Sequence, residues 1–156
     1  MTEHVVIPEY VVGLAFCDEF KAYGPERPDP HVLMIRKETP EWQRGLLNGL
    51  GGKIEPGETP AEAMRREFNE EAGLDVEDWE QFATLGKEGV FHVRFYRTWL
   101  PFGVAFGLGN KKIDEGYVRW VPVARLYHTI PNMQFLVPLA RYRHDYYAVP
   151  HFEEIR

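Results

Sequence analysis

Residues 52–74 read GKIEPGETPAEAMRREFNEEAGL, and how this stretch folds decides how the rest is arranged. Its second half predicts a helix from Thr59 to Ala72. The Thr59 hydroxyl can cap the first turn, Pro60 stands at the first helical position, and Glu62, three residues after Thr59, completes a capping box. Gly73 supplies the stop. Ala61, Met64, Phe68 and Ala72 recur at helical spacing and are expected to face a core. The segment leading in, LLNGLGGKIEPGE, carries four glycines and a proline, which makes a long helix there untenable.

The helix also carries Glu67, Glu70 and Glu71. Spacing of i, i+3 and i+4 sets them side by side, next to the apolar stripe. A like-charge pair such as Glu67 and Glu71 costs about 0.2–0.5 kcal/mol in a bare helix. All three also sit in its C-terminal half, where the helix dipole disfavours anions. An arrangement so unhelpful to stability makes sense if a divalent cation is the missing partner. Magnesium takes hard oxygen ligands, shared among a few carboxylates, waters and phosphates.

Residue by residue, the pattern is Gly52, five residues, Glu58, seven residues, then Arg66-Glu67-Phe68-Asn69-Glu70-Glu71-Ala72-Gly73-Leu74. Every specified polar, glycine and apolar position of the Nudix box is met. At roughly 6 % usage per residue type, chance agreement is below about one in 10⁸ per starting position. The chain therefore resembles the Nudix hydrolases. The resemblance implies an α/β/α sandwich with a mixed sheet, in the α/β (α+β) class. It also implies hydrolysis of a nucleoside diphosphate linked to a further group. By position, Glu70 and Glu71 match the principal metal-binding glutamates. Glu67 matches a residue that binds metal or orients the attacking water. The Gly51 carbonyl matches a further metal ligand. Glu58 and Arg66 match a pair that ties the loop to the helix, a supporting role. Relatives add an acidic residue from a later loop; Asp114 and Glu115 are the candidates, with Glu115 preferred. The implied cofactor is Mg²⁺, with Mn²⁺ as a substitute. Glu67 and Glu70 are both candidates for the catalytic base.

Working outward, Tyr10 to Cys17 and His31 to Lys37 read as strands rich in Val, Ile, Leu and Phe. YGPERPDP between them is a Pro-rich loop, and ETPEWQRG is a second loop. After the helix, Trp79 to Gly86 and Val90 to Leu100 read as strands joined by a turn around Lys87–Gly89. PFGVAFGLGN reads as a loop or irregular edge. Tyr117 to Val121 is a short strand and Met133 to Tyr142 a second helix, while the tail YYAVPHFEEIR is ambiguous. Strands on both sides of the first helix, with a late second helix, predict a mixed sheet with helices on both faces.

At 156 residues the chain suits one domain, taken as 1–156. A net charge of −6 argues against a nucleic acid polymer as partner. A phosphorylated small molecule is compatible, because a bound cation reverses the local field. The single cysteine, Cys17, excludes an internal disulfide and a cysteine-built zinc site, and its apolar setting reads as core. MTEHVVIPEY lacks the pattern of a signal peptide, and no apolar run approaches the ~20 residues of a membrane span. A cytoplasmic protein that acts on a nucleotide is expected, with neither polymer nor membrane as partner.

Substrate features cluster near the box. Asn48-Gly49-Leu50-Gly51-Gly52-Lys53 resembles the Asn-Gly-Phe-Gly-Gly-Lys run of Nudix enzymes that clear oxidised purine nucleoside triphosphates, where the Asn contacts the base. An amide offers both donor and acceptor to a purine edge. Asn132, in Ile-Pro-Asn-Met, lies where the same group places polar base contacts. Arg36, Lys37 and Lys53 are candidates for phosphate contacts. Trp120 and Phe135 are candidates for the base pocket or for the core. The expected reaction converts a nucleoside triphosphate to monophosphate and pyrophosphate. The alternatives are an ADP-ribose, dinucleotide or nucleotide-sugar pyrophosphatase, and a nucleotide-binding module that does not cut. The aromatic tail (Tyr142, Tyr146, Tyr147, Phe152) is expected to pack on the domain or to pair with a second copy as a homodimer.

Overall fold

The computed structural model describes residues 6–20, 29–142 and 149–154. In chain order the elements are β1 (Glu9–Cys17), β2 (His31–Lys37), β3 (Leu47–Asn48), β4 (Leu50–Lys53), α1 (Pro60–Ala72), β5 (Glu80–Lys87), β6 (Phe91–Trp99), α2 (Phe102–Ala105), β7 (Lys111–Ile113), β8 (Gly116–Pro122), α3 (Met133–Arg141) and β9 (His151–Glu153). The strands form one mixed sheet ordered β7-β8-β2-β1-β6-β5-β9.

The wedge between β1 and β2 creates the site. These two strands pair only over Ala15–Cys17 and His31–Leu33, then diverge. The glycine-rich segment fills the opening. β4 pairs with β1, Gly51 opposite Val12 and Gly52 opposite Val11, while β3 pairs with β2, Asn48 opposite Ile35.

Alternation along the strands builds two cores. Val11, Ala15, Leu33, Ile35 and Val118 face α1 and its Met64 and Phe68. Leu14, Phe16, Val32, Met34 and Val121 face α3 and its Met133, Leu136, Val137 and Ala140. Helices thus cover both faces, as the element order predicts.

The capping box of α1 forms as expected. The Thr59 hydroxyl accepts from the Glu62 N–H, and the Glu62 side chain accepts from the Thr59 N–H. Gly73 ends the helix at φ 78°, a left-handed conformation that glycine adopts without strain, its N–H donating to the Asn69 carbonyl. The expected apolar stripe needs one correction. Ala61 is exposed, and Ala63 takes its place in the core, because the buried face spans positions 63, 64, 68, 71 and 72.

Two irregular segments also differ from expectation. Phe102–Ala105 is a one-turn helix entered through Pro101, too short to show a helical period. The ETPEWQRG loop contains a 3₁₀ turn at Glu41–Gln43. The ambiguous tail contributes β9, parallel to β5, with Phe152 opposite Leu85. Phe152 packs against Phe135 with ring centroids 5.0 Å apart, so this part of the tail lies on the domain. Tyr146, Tyr147 and most of the Pro-rich loop lie outside the described residues. No described helix is long and apolar enough to cross a membrane.

Candidate active site

Glu71 follows Met64 by seven residues and Phe68 by three, so it falls within the buried face of α1. Only 6 % of it is exposed. The N–H of Gly51 donates to its Oε2 at 2.8 Å, which links the wedge segment to the helix. Burial, and then the charge of Glu115, pushes Glu71 up to about 8, against the opposing pull of the Gly51 N–H and Lys37. Glu67, one turn earlier, has a side chain 15 % exposed, and burial raises its pKa as well, against the pull of Arg66. A Cβ on Gly52 would stand 2.5 Å from the Glu67 carboxylate. The glycine of the first box position therefore makes room for this side chain. Glu70, with 59 % of its side chain exposed, faces outward.

Arg66 ties the loop to the helix. Its Nε and Nη2 donate to the two oxygens of Glu58 at 2.7 and 3.0 Å, Nη2 also to the Lys53 carbonyl at 3.1 Å, and Nη1 to Glu67 at 2.7 Å. Its approach to Glu70 is longer, 3.4 Å. The bidentate bond holds Glu58 below the ordinary carboxylate range and Arg66 above its own.

Glu115 approaches from the loop before β8. Lys37 donates to its Oε2 at 2.7 Å, and its charge is felt at both Glu67 and Glu71. Of the two cations at the end of β2, only Lys37 joins this constellation. Arg36 alternates to the opposite face, across from Leu47 and Tyr117. Strand alternation therefore parts the two candidate phosphate contacts, Lys37 toward α1 and Arg36 toward the α3 face. Lys53 is exposed at the end of β4.

The segment leading to Asn132 is laid against β3. The Leu47 N–H donates to the His128 carbonyl at 2.8 Å, and the Ile130 N–H to the Leu47 carbonyl at 3.0 Å. Asn48 and Asn132 are thereby carried on adjoining segments. Asn48 Oδ1 accepts from the Gly49 N–H at 2.8 Å, whereas Asn132 Oδ1 is buried with no hydrogen-bond partner. Phe135 lies on α3, of which Asn132 is the N-cap residue. Trp120 does not, since its indole packs on the α1 face and donates to the Ala105 carbonyl at 2.9 Å.

The donors suit a hard divalent cation in kind. Five carboxylates, Glu58, Glu67, Glu70, Glu71 and Glu115, meet two cations, Arg66 and Lys37, and burial raises the pKa of two of the five, Glu71 and Glu67. Among the described residues, no three His, Cys, Asp or Glu side chains converge as a finished ligand set. Arg66 draws Glu67 and Glu70 aside while Gly51 holds Glu71.

A family model described as NUDIX domain matches residues 19–139. The chain belongs to the Nudix family. The Nudix box identified in the sequence is thus supported by a match extending far beyond its 23 residues. Over 58 residues the chain is 38 % identical to the oxidized purine nucleoside triphosphate hydrolase of Danio rerio, a match covering 34 % of this chain and 37 % of that protein. The chain thus aligns with little more than a third of that relative's length. Among solved structures, the NUDIX domain of Shewanella oneidensis NrtR complexed with ADP ribose superposes with a TM-score of 0.67 at 18 % identity, covering 87 % of both chains. The longer NrtR chain, of which this Nudix chain covers 59 %, has been solved with a 27mer DNA. A MutT protein from Bacillus halodurans gives a TM-score of 0.62 at 18 % identity, covering 94 % of this chain and 90 % of that one. At such identities these likenesses speak for the Nudix fold.

Sequence reading missed two features. One is the burial of Glu71, signalled by its i+7 spacing from Met64. The other is Arg119 with Tyr117, whose alternation along β8 puts both on the Arg36 face.

Proposed function

We propose that this chain is a magnesium-dependent Nudix hydrolase that converts a purine nucleoside triphosphate, an oxidised one in particular, to the monophosphate and pyrophosphate. Manganese would serve as a substitute metal. The observation that carries this reading is the burial of the Glu71 carboxyl beside Glu67 and within reach of the Glu115 charge. A folded protein tolerates such a cluster when a cation completes it.

Glu67, Glu70, Glu71, Glu115 and the Gly51 carbonyl would hold the ion. Bound Mg²⁺ supplies neutralisation of phosphate charge and an acidified water. Lys37 and Lys53 bind phosphate oxygens. Glu67 or Glu70 accepts the proton of the attacking water. Asn48 and Asn132 bind the base. The orphaned Oδ1 of Asn132 calls for a donor, which a purine amino group or ring N–H provides. The match to the zebrafish hydrolase supports the same substrate class.

The test is turnover of a nucleotide panel with Mg²⁺, with Glu70→Gln beside the wild type. The expected result is release of pyrophosphate from a purine triphosphate and loss of rate on the order of 10²–10⁴-fold in the variant. Cleavage of ADP-ribose or dinucleotides alone would replace the substrate assignment. Binding without turnover would replace the enzyme by a nucleotide-binding module.

A further inference from the structure

A cleft of about 340 Å³ opens at the end of β2, lined among others by Arg36, Lys37, Glu38, Arg44, Tyr117 and Arg119. It gathers three arginines on a chain whose net charge is −6. Strand register says which face they serve. Arg36 stands opposite Tyr117, and Arg119 opposite Met34, and Met34 belongs to the core beneath α3. Arg36, Tyr117 and Arg119 therefore share the α3 face. Lys37 turns the other way, to Glu115, so Arg36 and Arg119 lie across the sheet from Glu71.

These cations are poorly answered by the protein itself. The Nε of Arg119 is buried with no hydrogen-bond partner. Arg36 is exposed and has no ion-pair partner among the described residues. Arg44 pairs with Glu41, but both are largely exposed, and such a pair yields readily to a better anion. Glu38, the carboxylate in the lining, leans 3.5 Å toward Lys112. Tyr117, 43 % exposed, adds a hydroxyl donor.

Clustered guanidinium groups repel one another, and a buried N–H without a partner is costly. An anion with several oxygens relieves the repulsion, because each planar guanidinium can donate two parallel hydrogen bonds, and an Arg119 side chain turned to meet it would give its Nε a partner. We infer that this cleft binds a dianionic terminal phosphate group, separate from the diphosphate handled at the glutamates. Three arginine forks and a phenol suit the three outer oxygens of such a group better than the two of a carboxylate. Nothing in the inference uses the glutamates, so it stands or falls independently of the hydrolase reading.

The experiment titrates the ¹⁵N-labelled full chain with inorganic phosphate in chelator, following arginine Nε–H resonances by NMR. Chelator removes any phosphate bound through metal at the carboxylates. The Arg119 resonance is expected to move saturably with phosphate and not with chloride at equal ionic strength. Arg36→Gln, at an exposed position and checked for unchanged melting, is expected to weaken phosphate about tenfold. A resonance that stays still, one that follows chloride equally, or an affinity unchanged in both Arg36→Gln and Arg119→Gln overturns the inference. Kinetics with Mg²⁺ then separate two sources of the same chemistry. A rise of about tenfold in KM at constant kcat in Arg36→Gln assigns the site to the terminal phosphate of the nucleotide substrate. An unchanged KM assigns it to a separate phosphorylated molecule. Absence of turnover in the nucleotide panel would remove the hydrolase reading and leave the phosphate titration intact.

Discussion

Near neutral pH the metal-free protein keeps a proton on Glu71, since burial lifts its pKa from 4.5 to about 8. In the unfolded chain the same carboxyl loses that proton near 4.5. Between the two values the folded state binds more protons than the unfolded state, so stability falls as pH rises through this window. The contribution is fully present below the lower value and gone above the higher one, a change on the order of a few kcal/mol. Melting curves in chelator across this range should show the decline, and Glu71→Gln should flatten it. An identical slope in wild type and variant would assign the proton elsewhere. Added Mg²⁺ should raise the melting temperature more near pH 8 than near pH 6, because at the lower pH the ion must displace the proton. Neighbouring Gly52 acts at the same scale, since only its missing side chain leaves space for the Glu67 carboxylate.

At the scale of elements, α1 presents the glutamates at a fixed pitch and is bounded by local chemistry at both ends. Its N-terminus is closed by the reciprocal Thr59–Glu62 bonds. Thr59→Ala removes a cap and should cost about 1 kcal/mol, lowering the melting temperature by about 2–4 °C with kcat unchanged. A large loss of kcat would mean that the cap also sets the position of Glu67 and Glu71. The limits of this helix were legible because capping, start and stop depend on residues next to one another. The one-turn helix Phe102–Ala105 was not legible, since four residues show no period and Pro101 reads equally as a turn. The strand β9 was hidden for a different reason. Three residues acquire strand geometry only by pairing with β5, which lies far away in sequence.

Across the whole molecule, buried polar groups tie the sheet to its helices, and Arg97 is the clearest on the α3 side. It is 7 % exposed and donates to Glu80 on β5 and to the carbonyls of Ala140 and Tyr142 at the end of α3. It thus fastens the sheet to the helix that carries Asn132. Arg97→Met leaves those carbonyls without their donor and should destabilise by about 3 kcal/mol, read as a fall in melting temperature on the order of 10 °C. A fall no larger than that of a surface substitution would show that the helix is anchored by its apolar contacts alone. The helix, the acidic cluster on it and the family were legible in the chain alone, because the box is a run of contiguous residues whose spacing follows from helical geometry. The sequence also implied the mixed sheet, since strand periods and element order are local signals. Three-dimensional packing settled the bond from the Gly51 N–H to Glu71, which face of the sheet Arg36 and Lys37 each serve, and the meeting of Arg119 with Arg36 in one cleft. Those facts depend on strand register and on which segments fill the wedge between β1 and β2, and both are set by contacts between residues distant in the chain.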